Sequence, residues 1–309
     1  MKQYYLSLNP LIPWRNKQRP LNWADAFGRT APLCVEIGFG NGEFLVRNAA
    51  LHADRNYAGI ELEWASVKRV LRRISQQDAT NVRIVQADAR VAFERLCKPR
   101  SILEVYSLFP PPWSKEKYEK HRLFSQDFLR LLNSRLEDGG RLRIVTDDRP
   151  YAEWIMEQAE HTGLDGRFES IASRFDTKYE RKWRELGQQN FFELLFLKKE
   201  HADVPLKEDA ELRTHRTRHF DPEHFQPLDR SGPVSVVFKE FLYDPKEKKG
   251  MTRVVVAEED FVQHFWIEII SNPGNWHIRP AKGCGIVPTI GVQCALDMVR
   301  DAAERQTAS

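Results

Sequence analysis

The stretch Leu33-Cys34-Val35-Glu36-Ile37-Gly38-Phe39-Gly40-Asn41-Gly42 constrains this chain more than any other part of it. A short apolar run with one carboxylate gives way to glycines at alternate positions, and residues 43–51 follow with helical spacing. Alternate glycines let the backbone turn sharply after a strand and approach a ligand closely before a helix begins. Such a junction belongs to a sheet whose strands alternate with helices, and the downstream sequence keeps that alternation. Apolar runs at 57–62, 82–87, 102–108, 142–146 and 190–197 read as strands. Residues 64–75, 90–96, 124–136 and 151–161 read as helices, with Gly139-Gly140 closing the 124–136 segment and Pro150 near the start of the last. The pattern predicts an α/β, Rossmann-like, mostly parallel sheet with helices on both faces over residues 1–198.

Residues 199–231 are polar, rich in Arg and His, and interrupted by Pro205, Pro222 and Pro227, which reads as a linker. Residues 232–309 read as a small α+β domain. It has strands at 234–242 and 252–257 about a Lys246-Glu247-Lys248-Lys249-Gly250 turn, an ambiguous 261–270 and a closing helix at 292–304.

The net charge is only +3, so bulk charge names no partner and local clusters must carry any case for nucleic acid. Cys34, Cys97, Cys284 and Cys294 form no CxxC pair, which points to reduced thiols rather than a disulfide frame or a zinc site. His215 and His219 have i, i+4 spacing, but no third ligand stands near them in a rigid element, and no metal is expected. No stretch is apolar enough to span a bilayer. Met1-Lys2-Gln3-Tyr4-Tyr5 shows no signal-peptide run, so a cytoplasmic location is expected.

Three acids stand at successive strand ends. Glu36 precedes the first glycine, where a dinucleotide's pyrophosphate would be repelled and a cationic ligand welcomed. Glu61 ends the next strand and can accept hydrogen bonds from both hydroxyls of a ribose; Asp88 follows the third and can accept from an adenine amino group. Singly, each acid fits a helix cap or a solvated carboxylate equally well. In series they describe a pocket for an adenosyl cation such as S-adenosyl-L-methionine.

Further motifs follow: Phe109-Pro110-Pro111-Pro112-Trp113-Ser114-Lys115 with Lys117, Lys120, His121 and Arg122, then Val145-Thr146-Asp147, then Thr177-Lys178-Tyr179-Glu180. In order and spacing they resemble the signature of bacterial tRNA (guanine-N7)-methyltransferases, over roughly residues 30–198. The resemblance implies a class I methyltransferase fold and methylation of the variable-loop guanine conventionally numbered 46. It implies that Glu36, Glu61 and Asp88 hold the cofactor on the loop of Gly38, Gly40 and Gly42. It also implies that Lys115, Asp147, Thr177, Lys178, Tyr179 and Glu180 face the tRNA, with Lys120 and Arg122 adding phosphate contacts. The family usually has Asp, cofactor-adjacent and regarded as catalytic, where this chain has Pro111; and where it has His-x-Lys-Arg-Arg, this chain has Tyr118-Glu119-Lys120-His121-Arg122.

Guanine N7 presents a lone pair in its neutral form, so no proton must leave before attack, and alignment supplies much of the rate. The purine becomes cationic, so a carboxylate helps. With Pro111 in place of the acid, Asp147 and Glu180 are the catalytic candidates. Arg174, Lys178, Arg181, Lys182 and Arg184 interleave with Phe175, Tyr179 and Trp183, a pattern suited to phosphates and bases. Three readings stay open: this tRNA methyltransferase, as a monomer or homodimer; a methyltransferase for another RNA or a small molecule; and a non-catalytic RNA-binding relative.

Overall fold

The computed structural model describes residues 6–187, 190–259 and 261–305. The chain divides into two compact units, Met1–Lys207 and Glu208–Ser309. In the first, the elements run α1 (Trp23–Phe27), β1 (Leu33–Ile37), α2 (Glu43–Leu51), β2 (Asn56–Glu61), α3 (Trp64–Gln76), β3 (Val82–Gln86), α4 (Ala89–Arg95), β4 (Ile102–Leu108), α5 (Gln126–Arg135), β5 (Leu136–Thr146), α6 (Arg149–Gln158), β6 (Leu164–Ala172), α7 (Lys178–Glu185) and β7 (Asn190–Lys198). They form a seven-stranded sheet of order β3-β2-β1-β4-β5-β7-β6. Neighbours are parallel from β3 to β5, while β7 runs antiparallel to both β5 and β6. This is the α/β, Rossmann-like class I methyltransferase arrangement. Strand order reverses between β1 and β4, and in such sheets the crevice outside the carboxyl ends at that point receives the ligand.

Local sequence explains the main elements. β1 is buried along its whole length, as a central parallel strand must be. On α3, Val67, Val70, Leu71 and Ile74 are buried at i, i+3, i+4 and i+7, leaving the basic residues of the helix on its other face. Asp148 caps α6 by accepting from the Tyr151 N–H at 2.8 Å, and Pro150 occupies the first turn. α5 stops at Arg135, and Gly139-Gly140 lies inside β5, which begins six residues before the expected strand.

Three strands were not legible in the sequence. β6 is an edge strand with no continuous apolar stripe, alternating half-buried and exposed residues. The other two belong to the second unit, whose elements are β8 (His215–Thr217), β9 (Val234–Asp244), β10 (Lys249–Glu258), β11 (Phe261–Asn272), β12 (Asn275–Pro280) and α8 (Ile290–Arg305). They form an antiparallel sheet of order β8-β12-β11-β10-β9. Val292, Ala295, Leu296 and Val299 of α8 share one apolar core with Val254, Val256, Phe265, Ile267 and Ile278. The ambiguous 261–270 segment is a strand.

The 199–231 stretch is not a free linker. Arg135, fully buried, donates from Nε to the Phe93 carbonyl (2.8 Å), from Nη1 to Val204 (2.6 Å) and from Nη2 to Pro205 (3.1 Å), which binds 199–207 to the first unit. Residues 208–231 are part of the second: β8 pairs with β12, and Phe220 and Phe225 enter its core. An extended backbone satisfied by side chains can be polar and proline-rich and still be fixed.

The glycine loop is packed as tightly as it is turned. Gly42 has φ +68°, and a Cβ placed on it would lie 2.2 Å from Cγ2 of Val70 on α3. Gly28, with φ +70°, has open space around it. Gly28→Ala is therefore expected to cost about 1–2 kcal/mol, the left-handed penalty alone. Gly42→Ala adds overpacking of about 1–3 kcal/mol. Urea unfolding of both variants measures the difference; equal costs would show that the loop yields.

Candidate active site

A cavity of about 90 Å³ opens at the carboxyl ends of β1 and β4. Its wall contains Glu36 from β1, Gly38 and Gly40 from the loop, Glu43 and Phe44 from the start of α2, Leu108 and Phe109 from the end of β4, and Thr177, Lys178 and Tyr179 from the start of α7. Two widely separated motifs, the glycine loop and the 177–180 run, therefore meet at one place.

Glu36 is the chemically unusual member. Its side chain is buried, only 3 % of the residue is exposed, and Oε2 has no hydrogen-bond partner. Burial pushes its carboxyl up to about 8, against a lowering effect of Arg47 and a further raising effect of Glu61. A buried carboxylate oxygen without a donor, on the wall of a cavity, suits a cationic group. The donor set thus fits the ammonium and sulfonium of S-adenosyl-L-methionine.

Glu61 ends β2 beside the loop. Its Oε2 accepts from the Gly40 N–H at 3.2 Å and its Oε1 from Leu62 and Glu63 at 2.9 and 3.1 Å, so it braces the loop it adjoins. Asp88 caps α4, with Oδ1 accepting from the Arg90 N–H at 2.8 Å; for this oxygen the capping alternative is realised. Gly42, Glu61, Asp88 and Pro111 lie outside the cavity wall, and Pro111 is exposed.

The substrate-side candidates separate. Asp147 is half-buried, and burial, together with the neighbouring Asp148, raises its carboxyl above the usual range. Lys115 and Lys120 are exposed. Arg122 is not free: its side chain is 11 % exposed, its Nε donates to the Pro112 carbonyl at 3.0 Å, and its guanidinium lies over Trp154 at 4.8 Å. Glu180 is fully buried. Its Oε1 accepts from the Arg174 and Phe175 N–H groups at 2.7 and 3.2 Å, while its own N–H donates to Thr177 Oγ1 at 3.2 Å. Thr177-Lys178-Tyr179-Glu180 is thus a variant of the T-x-x-E capping box, with the acid reaching back past the cap residue. Of this motif, Thr177, Lys178 and Tyr179 face the cavity and Glu180 faces the loop behind it.

The ion pairs that hold α7 in place are not announced by any motif. Glu43 accepts from Arg181 Nη2 with both oxygens, at 3.0 and 2.9 Å, and lies 3.4 Å from Arg73 Nη2. Arg47 donates to the Phe175 carbonyl and lies 3.9 Å from Asp176. Arg174 is held by the buried Glu193 on β7, which Arg143 of β5 also contacts at 2.6 Å. These pairs span 19 to 138 residues, and no local pattern announces them.

The comparisons with known proteins agree with this construction. A family model described as "Putative methyltransferase" matches residues 30–193, so fold and sequence define a methyltransferase. A tRNA (guanine-N(7)-)-methyltransferase of Chlorobium phaeobacteroides is 39% identical over 197 residues, which cover 63% of this chain and 95% of that protein. Proteins of the same name from Thermotoga maritima (29% identical, 88% of this chain and 90% of that one) and Thermus thermophilus (34%, 84% and 85%) align further. Coverage of 88% runs well into the second unit, so that unit is not private to this chain. The chain belongs to the tRNA (guanine-N7)-methyltransferase family.

The pKa of Glu36 has a consequence for stability. A carboxyl whose folded value lies above its unfolded value favours the folded state at low pH, and that contribution is lost as pH rises from the unfolded value through the folded one, here to about 8. Without ligand, Glu36→Gln is expected to be more stable than the parent at pH 8, with the gap closing toward pH 5. Urea unfolding across that range measures it, and a pH-independent gap would show that Glu36 is ionised throughout.

Proposed function

We propose that this protein methylates N7 of a guanine in the variable loop of tRNA, at position 46, acting in the cytoplasm. The observation that carries the reading is Glu36 Oε2, buried in the cavity wall without a hydrogen-bond partner, in a chain whose relatives are tRNA (guanine-N7)-methyltransferases. Among the described residues no helix is long and apolar enough to cross a membrane.

The methyl donor, S-adenosyl-L-methionine, supplies an electrophilic methyl group on a sulfonium. Glu36 would hold its cationic end, Glu61 its ribose and Asp88 its adenine, on a backbone shaped by Gly38, Gly40 and Gly42. The protein need not remove a proton, since neutral guanine already presents the N7 lone pair. What it must do is hold the base in line and exclude water. Thr177, Lys178 and Tyr179 cover the cavity and are placed to orient the base, while Lys115 and Lys120, both exposed, meet phosphates. Positive charge grows on the purine as the bond forms, and Asp147 is the half-buried carboxylate left to stabilise it. Glu180 acts one step back, by fixing the 174–175 backbone from which α7 starts. Pro111 shapes the exit from β4 instead of supplying a charge.

The test is transfer of labelled methyl to tRNA lacking the modification, followed by nucleoside analysis and mapping. Label in 7-methylguanosine of the variable loop is expected; label in another nucleoside, or none, would contradict the assignment. In the same assay Asp147→Asn should lower kcat by about 10²-fold, the scale for loss of one electrostatic stabiliser. A kcat within threefold of the parent would remove Asp147 from the mechanism.

A further inference from the structure

The strongest unassigned feature of the surface is a cluster of exposed rings in the segment that follows β4. Trp113 is 42% exposed and Tyr118 37%, and His121 is exposed as well. The ring centroids lie 5.9 Å apart for Trp113 and Tyr118, 5.5 Å for Trp113 and His121, and 6.1 Å for Tyr118 and His121. We propose that these three rings form a stacking platform for an unpaired RNA base flanking the methylated guanine. The proposal rests on the reading of the protein as a tRNA methyltransferase.

Exposure and charge support that occupant. Large aromatic side chains are ordinarily buried, and an exposed group of them marks a contact surface. The group is interleaved with cations: Lys115, Lys117 and Lys120 are exposed, and Lys117 Nζ lies 4.9 Å from the Tyr118 ring centroid. Rings for base faces beside ammonium groups for phosphates are what single-stranded nucleic acid requires. A purely apolar partner would leave those lysines unpaired. Paired RNA keeps its bases stacked and inaccessible, whereas loop bases can splay onto aromatic faces.

The platform is also held in place. Trp113 has a left-handed backbone, φ 46°, which is rare for a bulky residue and persists only where its surroundings enforce it. The enforcement is visible. Arg122 Nε binds the carbonyl of Pro112, the Tyr118 N–H donates to the Lys115 carbonyl at 2.8 Å, and Ser114 Oγ donates to Asp148 Oδ2 at 3.1 Å. Trp154 Nε1 donates to Glu119 Oε1 at 3.1 Å, with Arg122 lying over the Trp154 ring. Arg122 therefore serves the tRNA indirectly, by positioning the rings. Strain spent on presenting a tryptophan outward is reasonable where the ring meets a ligand, and the segment begins at the cavity, since Phe109 is in both.

The experiment uses the full-length protein and tRNA lacking the modification. Trp113→Ala and Tyr118→Ala should each weaken tRNA binding by roughly five- to hundredfold, the scale for loss of one stacked base. The slope of log Kd against log salt should stay that of the parent, because no phosphate contact is removed, and the affinity for S-adenosyl-L-methionine should stay unchanged. Trp113→Phe should recover most of the binding. Lys115→Ala with Lys120→Ala should instead flatten the salt slope. Parental tRNA affinity in both alanine variants would overturn the platform, as would a matching loss of S-adenosyl-L-methionine affinity, which would mark the rings as merely structural. A second readout does not need catalysis: an unstructured oligoribonucleotide should quench tryptophan emission in the parent and less in Trp113→Phe. Quenching without methyl transfer would uphold the platform and sink the functional reading; transfer without quenching would do the reverse.

Discussion

A buried carboxyl with one oxygen left unpaired is the constraint around which this site is arranged. Glu36 is buried near the end of β1, which is paired on both sides by β2 and β4, and the glycine loop follows directly. An ionised carboxylate there carries a desolvation penalty that Arg47 and the Leu45 backbone offset only in part, and the raised pKa expresses it. The loop is held where it is by the close approach of Gly42 to Val70 and by the hydrogen bond from the Gly40 N–H to Glu61. The fold thus fixes in place a buried acid that a positive charge would suit.

The second half of the site is brought to the first by long-range ion pairs. α7 begins with a capping box, which fixes its direction locally, and Glu43–Arg181 and Arg47–Asp176 tie it to α2. Glu43 belongs at once to the cavity wall and to this tie, so the start of α2 is bound to α7 through a residue of the wall itself. Arg174, Glu193 and Arg143 extend the connection into the sheet. Such partly buried networks give specificity of placement more than net stability, and placement is what an in-line methyl transfer needs.

The legible and illegible parts of the sequence divide along the same line. The strand–glycine–helix alternation could be read because its signals are local: burial periodicity, caps and turn residues. The three strand-end acids could be located, but not their hydrogen bonds, and Asp88 proved to spend one oxygen on a cap. Glu180 was visible as a motif member, yet its burial depends on loop 174–175 folding back over it. Arg122 looked like a phosphate ligand because sequence shows charge and not the rings of Tyr151 and Trp154 packed beneath it. The 199–231 stretch reads as a linker because nothing in its composition reports that Arg135 or β12 will bind it.

The most direct measurement of the central claim is proton exchange on cofactor binding. At pH 7 a carboxyl with a value of about 8 is mostly protonated, and a cation placed against it should drive the proton off. Titration calorimetry of S-adenosyl-L-methionine binding in buffers of different ionisation enthalpy counts that proton. Release close to one proton is expected in the parent and none from Glu36→Gln. Binding with no proton released, or with the same release in both proteins, would contradict it.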